Sequence, residues 1–327
     1  MDERRLALKS LSLIAAGAAL PRLVIADGFP TRPIKLIVPH AAGGNSDAFG
    51  RILAQKLSER LGQQVVAENR TGAGGTIGSA LTANSPSDGY TLLVADTGTH
   101  AIAPTLYGPR LQYDVFKDFT PITQAANFAN ALILHPSVPA RTPQEFVALV
   151  KSQPGKLTYS SAGTGNGSHL AVELFRTAAG GLDMVHVPYK GGAPAVQAVL
   201  AGEVQLCAVS VNTSMPHIKS GRVRGLGLAA KQRSPALPDL PTFIESGIPF
   251  DAENWLAILG PKAMPADVAR KLNAEISATL NLPDVRERLA AIGLEVVASS
   301  PEQFRQVLEE DVAKWGKAVK DSGAVVE

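Results

Sequence analysis

Cys207 is the only cysteine in the 327 residues, so no internal disulfide can form and no cysteine pair can hold zinc. It lies in the apolar run 204–209 and reads as a small core residue. Aromatic residues make up 5% and charged residues 18% of the chain, and no run of lysine and arginine suits a nucleic acid or an anionic lipid surface. The longest apolar stretch, 11–20, is about half of the roughly 20 residues that would span a bilayer. Signature motifs of several chemistries are also missing. There is no phosphate-binding G-K-[ST], no H-E-x-x-H and no G-x-S-x-G nucleophile elbow. Gly163, Gly165 and Gly167 give G-x-G-x-G, but Ser168 stands where a dinucleotide fingerprint would need glycine. The six histidines are scattered. No metal, cofactor or catalytic residue is expected, and the chain does not read as an enzyme.

What is present suits a two-domain globular protein. The length and the 45% hydrophobic content support a sizeable core, and the 30 glycines and 23 prolines are spread out as punctuation between short elements. The first 26 residues read as an export signal. Arg4 and Arg5 precede the apolar stretch 11–20, and Val24-Ile25-Ala26 supplies the small residues of a cleavage site. The run Arg4-Arg5-Leu6-Ala7-Leu8-Lys9 also fits a twin-arginine signal, so Sec and twin-arginine export both stay open. Of 31 basic and 29 acidic residues, Arg4, Arg5, Lys9 and Arg22 and Asp2 and Glu3 lie in this segment, which leaves the remainder with no net charge. A soluble, periplasmic monomer is expected.

After residue 30, short apolar strands alternate with segments of helical spacing, the mark of a parallel sheet covered on both faces. Strands are expected at 34–38, 65–66, 90–94, 157–159, 185–187, 204–209 and 224–229. Helices are expected at 47–61, 76–83, 142–152, 168–179, 193–201, 265–281, 283–291 and 301–320. Residues 119–134 and 254–259 read as crossings between two lobes. The expected division is 27–127 plus 249–327 for a discontinuous first lobe and 128–248 for the second.

In such sheets ligands sit beyond the carboxyl ends of strands. Two loops there are rich in glycine and hydroxyls, 40–47 and 160–169, one in each expected lobe. Glycine allows close approach to the backbone, Asn45 or Ser46 can cap the following helix, and the freed amides at a helix start favour an anion. The first loop offers Gly43, Gly44, Asn45, Ser46 and Asp47. The second offers Ser161, Gly163, Thr164, Gly165 and His169. Loops 71–78 and 96–100 support them, the latter with Thr99 and His100. Each loop alone also reads as a tight turn. Asp47 reads either as a charge placed on the helix dipole or as a brace for its loop, Arg51 as its ion-pair partner four residues on, and Trp255 as cleft floor or buried hinge residue.

Several segments together carry a family resemblance. They are Thr31–Pro39 (TRPIKLIVP), Ala42–Asp47 (AGGNSD), Val66–Gly75 (VAENRTGAGG) and Asp88–Leu93 (DGYTLL), then Pro154–Ser161 (PGKLTYSS), Gly167–Leu170 (GSHL) and His186–Gly191 (HVPYKG). With Leu240–Thr242 (LPT) and Lys314-Trp315, they run from about residue 29 to the C-terminus. The chain resembles the extracytoplasmic solute receptors of tripartite tricarboxylate transporters, the Bug receptor family. The resemblance implies a type II-like periplasmic binding protein fold of α/β class, with two crossing strands. It implies a small carboxylate ligand held by Gly43, Gly44, Asp47, Thr99, His100, Ser161, Gly163, Gly165 and His169. It also implies a membrane partner of one large and one small subunit. The chain departs from the family pattern at His40 (usually aromatic), Ala42 (usually proline) and Val209-Ser210 (usually Phe-Asp), followed by Asn212, which borders the cleft. A receptor presenting ligand to a sensor kinase, or an enzyme acting on a small carboxylic acid, stays open beside transport.

Overall fold

The computed structural model describes residues 28–325; the expected export signal lies outside them. Two mixed sheets organise the chain. The first contains β1 (Ile34–Val38), β2 (Val65–Asn69), β3 (Thr91–Asp96), β4 (Phe119–Phe128), β10 (Asn254–Pro261) and β11 (Glu295–Val296), in the order β11-β4-β10-β3-β1-β2. The second contains β5 (Asn130–Leu134), β6 (Thr158–Ser161), β7 (Val185–Pro188), β8 (Leu206–Ser210) and β9 (Arg224–Ala229), in the order β7-β6-β8-β5-β9. Helices flank both, giving an α/β architecture of two sheets.

β1 shows why the central strands are largely apolar. Leu36 joins a core shared with Phe49, Leu53, Leu272 and Ile276, while Ile37 on the opposite face joins a core with Leu93, Trp255 and Phe304. Alternate residues face opposite sides of a sheet, so covering both faces leaves few polar positions; Lys35 is the exposed exception in β1.

The chain passes between sheets twice, at Phe128–Asn130 and at Ala252–Asn254, where the Ala252 amide donates to the Ala229 carbonyl at 3.1 Å. This explains a departure from a parallel arrangement. β10 is antiparallel to both β3 and β4, and β5 is antiparallel to both β8 and β9. The other principal strands end at the junction between the sheets. A strand arriving from the opposite sheet begins at that junction and must run away from it.

Most expected elements lie within one to three residues of the observed ones. Two helices were not legible: the short α3 (Ala103–Tyr107), and α7 (Val211–Lys219), which contains Pro216, a residue that ordinarily ends a helix. The long C-terminal helix α10 (Pro301–Ser322) locks the junction. It packs on β4 and on α5 (Gly167–Ala178), which belong to different sheets. Its Asp311 accepts from Trp255 Nε1 at 2.7 Å, and its Lys314 pairs with Asp251 at 2.8 Å. Trp255 is thus buried beside the second crossing and does not line the cavity.

Ser300 caps α10 by accepting from the Gln303 amide at 3.2 Å, and the Gln303 side chain accepts from the Ser300 amide at 2.9 Å. Ser300→Ala is expected to destabilise the protein by about 1 kcal/mol, measured by urea denaturation with an unchanged slope.

Candidate functional site

A cavity of about 890 Å³ lies between the carboxyl ends of the two sheets. The first sheet contributes His40 after β1 and Asp96, Thr97 and Gly98 at the end of β3, with Ile102, Leu106 and Tyr107 beyond. The second contributes residues 162–168 after β6, and Val209, Ser210 and Thr213 around the end of β8. Phe128, Asn130 and Asn254 come from the crossings. The lining is thus mixed, with apolar side chains and polar groups drawn from both sheets.

The loop between β6 and α5 is built from short reciprocal hydrogen bonds. Ser168 Oγ accepts from the Ala162 amide at 2.9 Å, Ser161 Oγ from the Gly163 amide at 3.2 Å, and His169 Nδ1 from the Gly165 amide at 3.1 Å. Asn166 caps α5 by accepting from the Ser168 amide at 3.0 Å. The loop's shape requires glycine at 165, where φ is +73° and a Cβ would lie 2.7 Å from Leu106 across the cleft. Most amides of this loop are thereby used internally. Those of Thr164 and Gly167 have no protein partner among the described residues and lie at the cavity wall by the positive end of α5.

Beneath this loop the rings of Tyr159, His186 and His169 stack, with His169 and His186 only 3.9 Å apart. His186 Nε2 bonds Ser161 Oγ at 2.6 Å, and Tyr159 donates to Glu173, which also pairs with Arg176 at 2.7 Å. Burial pushes His186 down to about 4, helped by its His169 neighbour, and burial also lowers His169.

The wall of the first sheet carries the charge. His40 Nε2 and Asp96 Oδ2 form a close ion pair. The Asp96 charge holds the imidazole above its ordinary range, against the pull of burial. Burial opposes ionisation of Asp96 in turn, but His40 and the Thr99 amide outweigh it and keep the carboxyl below the usual range. Asp96 Oδ1 accepts from the Thr99 amide at 2.8 Å and lies 3.1 Å from the Thr99 hydroxyl, the donor of that second hydrogen bond.

Of the residues expected at a ligand, Gly163, Thr164 and Gly165 line the cavity. Ser161 and His169 are buried behind it and shape the loop. Thr99 and His100 are fully buried instead of facing the ligand, because the wide turn Gly98–Ile102, with i→i+5 geometry, tucks them inward. His100 packs between Tyr113 and Phe119, and burial pushes it down to about 3. Gly43, Gly44, Asn45, Ser46 and Asp47 stand off the cavity wall. Neither Asn45 nor Ser46 caps α1 (Asn45–Leu61); Gly44 occupies the cap position without a side-chain bond. Asp47 reaches back to accept from the Gly43 amide at 2.9 Å, and also pairs with Arg51 at 3.0 Å. It is a loop brace. Burial opposes its charge, yet the bonds from Arg51, Gly43 and Asn69 hold it below the usual range. Asn45 Oδ1 instead accepts from Asn212 Nδ2 at 3.3 Å, a bond that closes the gap between the two sheets' loops.

Asn130 and Asn254 line the cavity and were not singled out from the sequence. The available signal was a polar residue opening an otherwise apolar strand, in NALIL and in NWLAIL.

Comparison with known proteins gives a consistent result. Residues 49–324 match the pattern of the tripartite tricarboxylate transporter family receptor. The chain is 35% identical to protein BugT of Bordetella pertussis, over 98% of each chain. A Rhodopseudomonas palustris protein solved with adipate is 32% identical with a TM-score of 0.80, covering 91% of this chain and 99% of its own. MatC of the same organism, solved with bound malate, is 33% identical with a TM-score of 0.76, covering 89% of this chain and 100% of its own.

The buried histidines set an acid limit. An unfolded imidazole takes up its proton near pH 6.5, whereas folded His186 holds off until about 4 and His100 until about 3. The unfolded state therefore binds more protons in that window, and stability falls as pH drops below 6.5. The thermal midpoint is expected to fall across this range, and to fall less in His186→Gln.

Proposed function

This chain belongs to the tripartite tricarboxylate transporter receptor family, and we propose that it captures a small carboxylate-bearing molecule in the cavity between its lobes and delivers it to a membrane transporter of one large and one small subunit. The observation that carries this reading is the cavity's polarity. The cavity is lined by Thr164 and Gly167 at the start of α5, whose amides have no protein partner among the described residues, by His40, and by the apolar Ile102, Leu106, Phe128 and Val209. That pattern suits an anionic head on an apolar body. The two Rhodopseudomonas proteins were solved with adipate and with malate, both small carboxylates.

In the proposed cycle, residues 27–127 plus 249–327 form one lobe and 128–248 the other, and the crossings at 128–130 and 252–254 are the hinge. Ligand shifts the population toward closure. The Asn45–Asn212 bond and the contact of Leu106 with the Gly165 loop belong to the closed side of that equilibrium. An extracytoplasmic place, reached through the segment 1–26, agrees with the balanced charge of the remaining chain.

A thermal-shift screen over small carboxylates tests the reading, because a ligand at a hundred times its Kd adds about 2.7 kcal/mol to stability. The site itself is tested by Gly167→Asp. A Cβ at Gly167 would point toward Asn254 and Ile102 of the cavity wall, with no atom closer than 3.7 Å. An aspartate in the first turn also suits the α5 dipole, so folding is expected to persist while its carboxylate occupies the anion's place. Calorimetry should find no binding of the cognate acid with the thermal midpoint retained. Unchanged affinity would remove the α5 terminus from the site.

A further inference from the structure

The cavity wall holds four titratable side chains: His40, Asp96, Tyr107 and Cys207. Two are silent near neutral pH. Burial pushes Cys207 up to about 11 and raises Tyr107, whose hydroxyl donates to the Ala73 carbonyl at 2.8 Å. His40 and Asp96 are left to set the wall's charge. Asp96 is engaged at both oxygens, with Oδ2 on His40 and Oδ1 on the amide and hydroxyl of Thr99. His40 is used on one side alone. Its Nε2 meets Asp96, its carbonyl accepts from Asn69 at 3.0 Å, and its Nδ1 has no protein partner among the described residues.

We infer that His40, held and charged by Asp96, reads a second negative charge on the ligand, so that the receptor selects dicarboxylates over monocarboxylates of equal length. This deepens the proposed function and rests on it. The first carboxylate lies at the α5 terminus, and the second accepts from His40 Nδ1. Asp96 is a positioning residue: it fixes the ring and keeps the proton on it. The surroundings leave that proton under local control. His100 behind Thr99 is neutral near pH 7, and Asp47, on the far side of Asn69, is already matched by Arg51. Selectivity for the second carboxylate is therefore present while His40 is charged and is lost as pH rises through its elevated titration.

The test is calorimetry on the purified protein with succinate, glutarate and adipate, each against the monocarboxylate of the same chain length, between about pH 6 and pH 9. A charge-assisted hydrogen bond in such a site is worth about ten-fold or more in affinity. The expected result is a preference of that order for dicarboxylates at the lower pH that shrinks toward the upper. His40→Gln keeps a donor toward Asp96 without a charge, and should collapse the preference at every pH. His40→Lys should restore it and hold it across the whole range, since lysine titrates near 10.4. A dicarboxylate-to-monocarboxylate ratio in His40→Gln that matches the wild type in size and pH profile would overturn the role of His40 while leaving the receptor reading intact. So would a wild type that binds both classes equally at low pH. A wild type that binds neither class would overturn both.

Discussion

The double passage of the chain between two sheets is the constraint on which the rest of this structure depends. Because the strands arriving from the opposite sheet must start at the junction, β5 and β10 run against their neighbours. The strands they displace still deliver their carboxyl ends there, and with them the loops after β1, β3, β6 and β8. A cleft lined by helix starts and strand ends follows from that direction rule alone. The long helix α10 then ties both sheets together from behind, through Trp255–Asp311 and the packing on α5. One apolar core runs continuously from Leu93 and Trp255 to Phe146 and Phe175, so the two halves share their stabilising contact while keeping their mouths apart.

The polar chemistry of the cleft is governed by the cost of leaving buried groups unsatisfied. A loop with as many amides as 160–169 could not sit half-buried with all of them pointing outward. The chain resolves this internally: Ser161, Asn166, Ser168 and His169 each take one amide, and two remain at the cavity. The same rule explains the buried Asp96. Its carboxylate is tolerated because two hydrogen bonds from Thr99 and the His40 ring surround it, and the by-product is an imidazole at the cavity wall whose charged form is favoured.

Much of the fold was legible before any coordinates. The strands 34–38 and 224–229 and the helices 76–83 and 283–291 match residue for residue, since apolar period, glycine stops and proline starts act locally. Of the two helices missed, α3 is only five residues long, and α7 carried a proline that tertiary packing accommodates. The site was less legible. Thr99 and His100 sit in a loop of the right composition, but a single wide turn rotates them into the core and leaves Thr97 and Gly98 at the cavity. Asp47 was open to either a dipole or a brace reading, and its hydrogen bond to the Gly43 amide decides between them.

The sequence alone determined the two-lobed α/β architecture, the family and the presence of glycine-rich helix starts facing strand ends, because each of these is written in short-range patterns. Tertiary structure alone decided the electrostatics. His40 and Asp96 are 56 residues apart and nothing local marks either as the other's partner. Their pairing arises because β1 and β3 are adjacent parallel strands that end side by side, and adjacency between strands is a property of the sheet rather than of either segment.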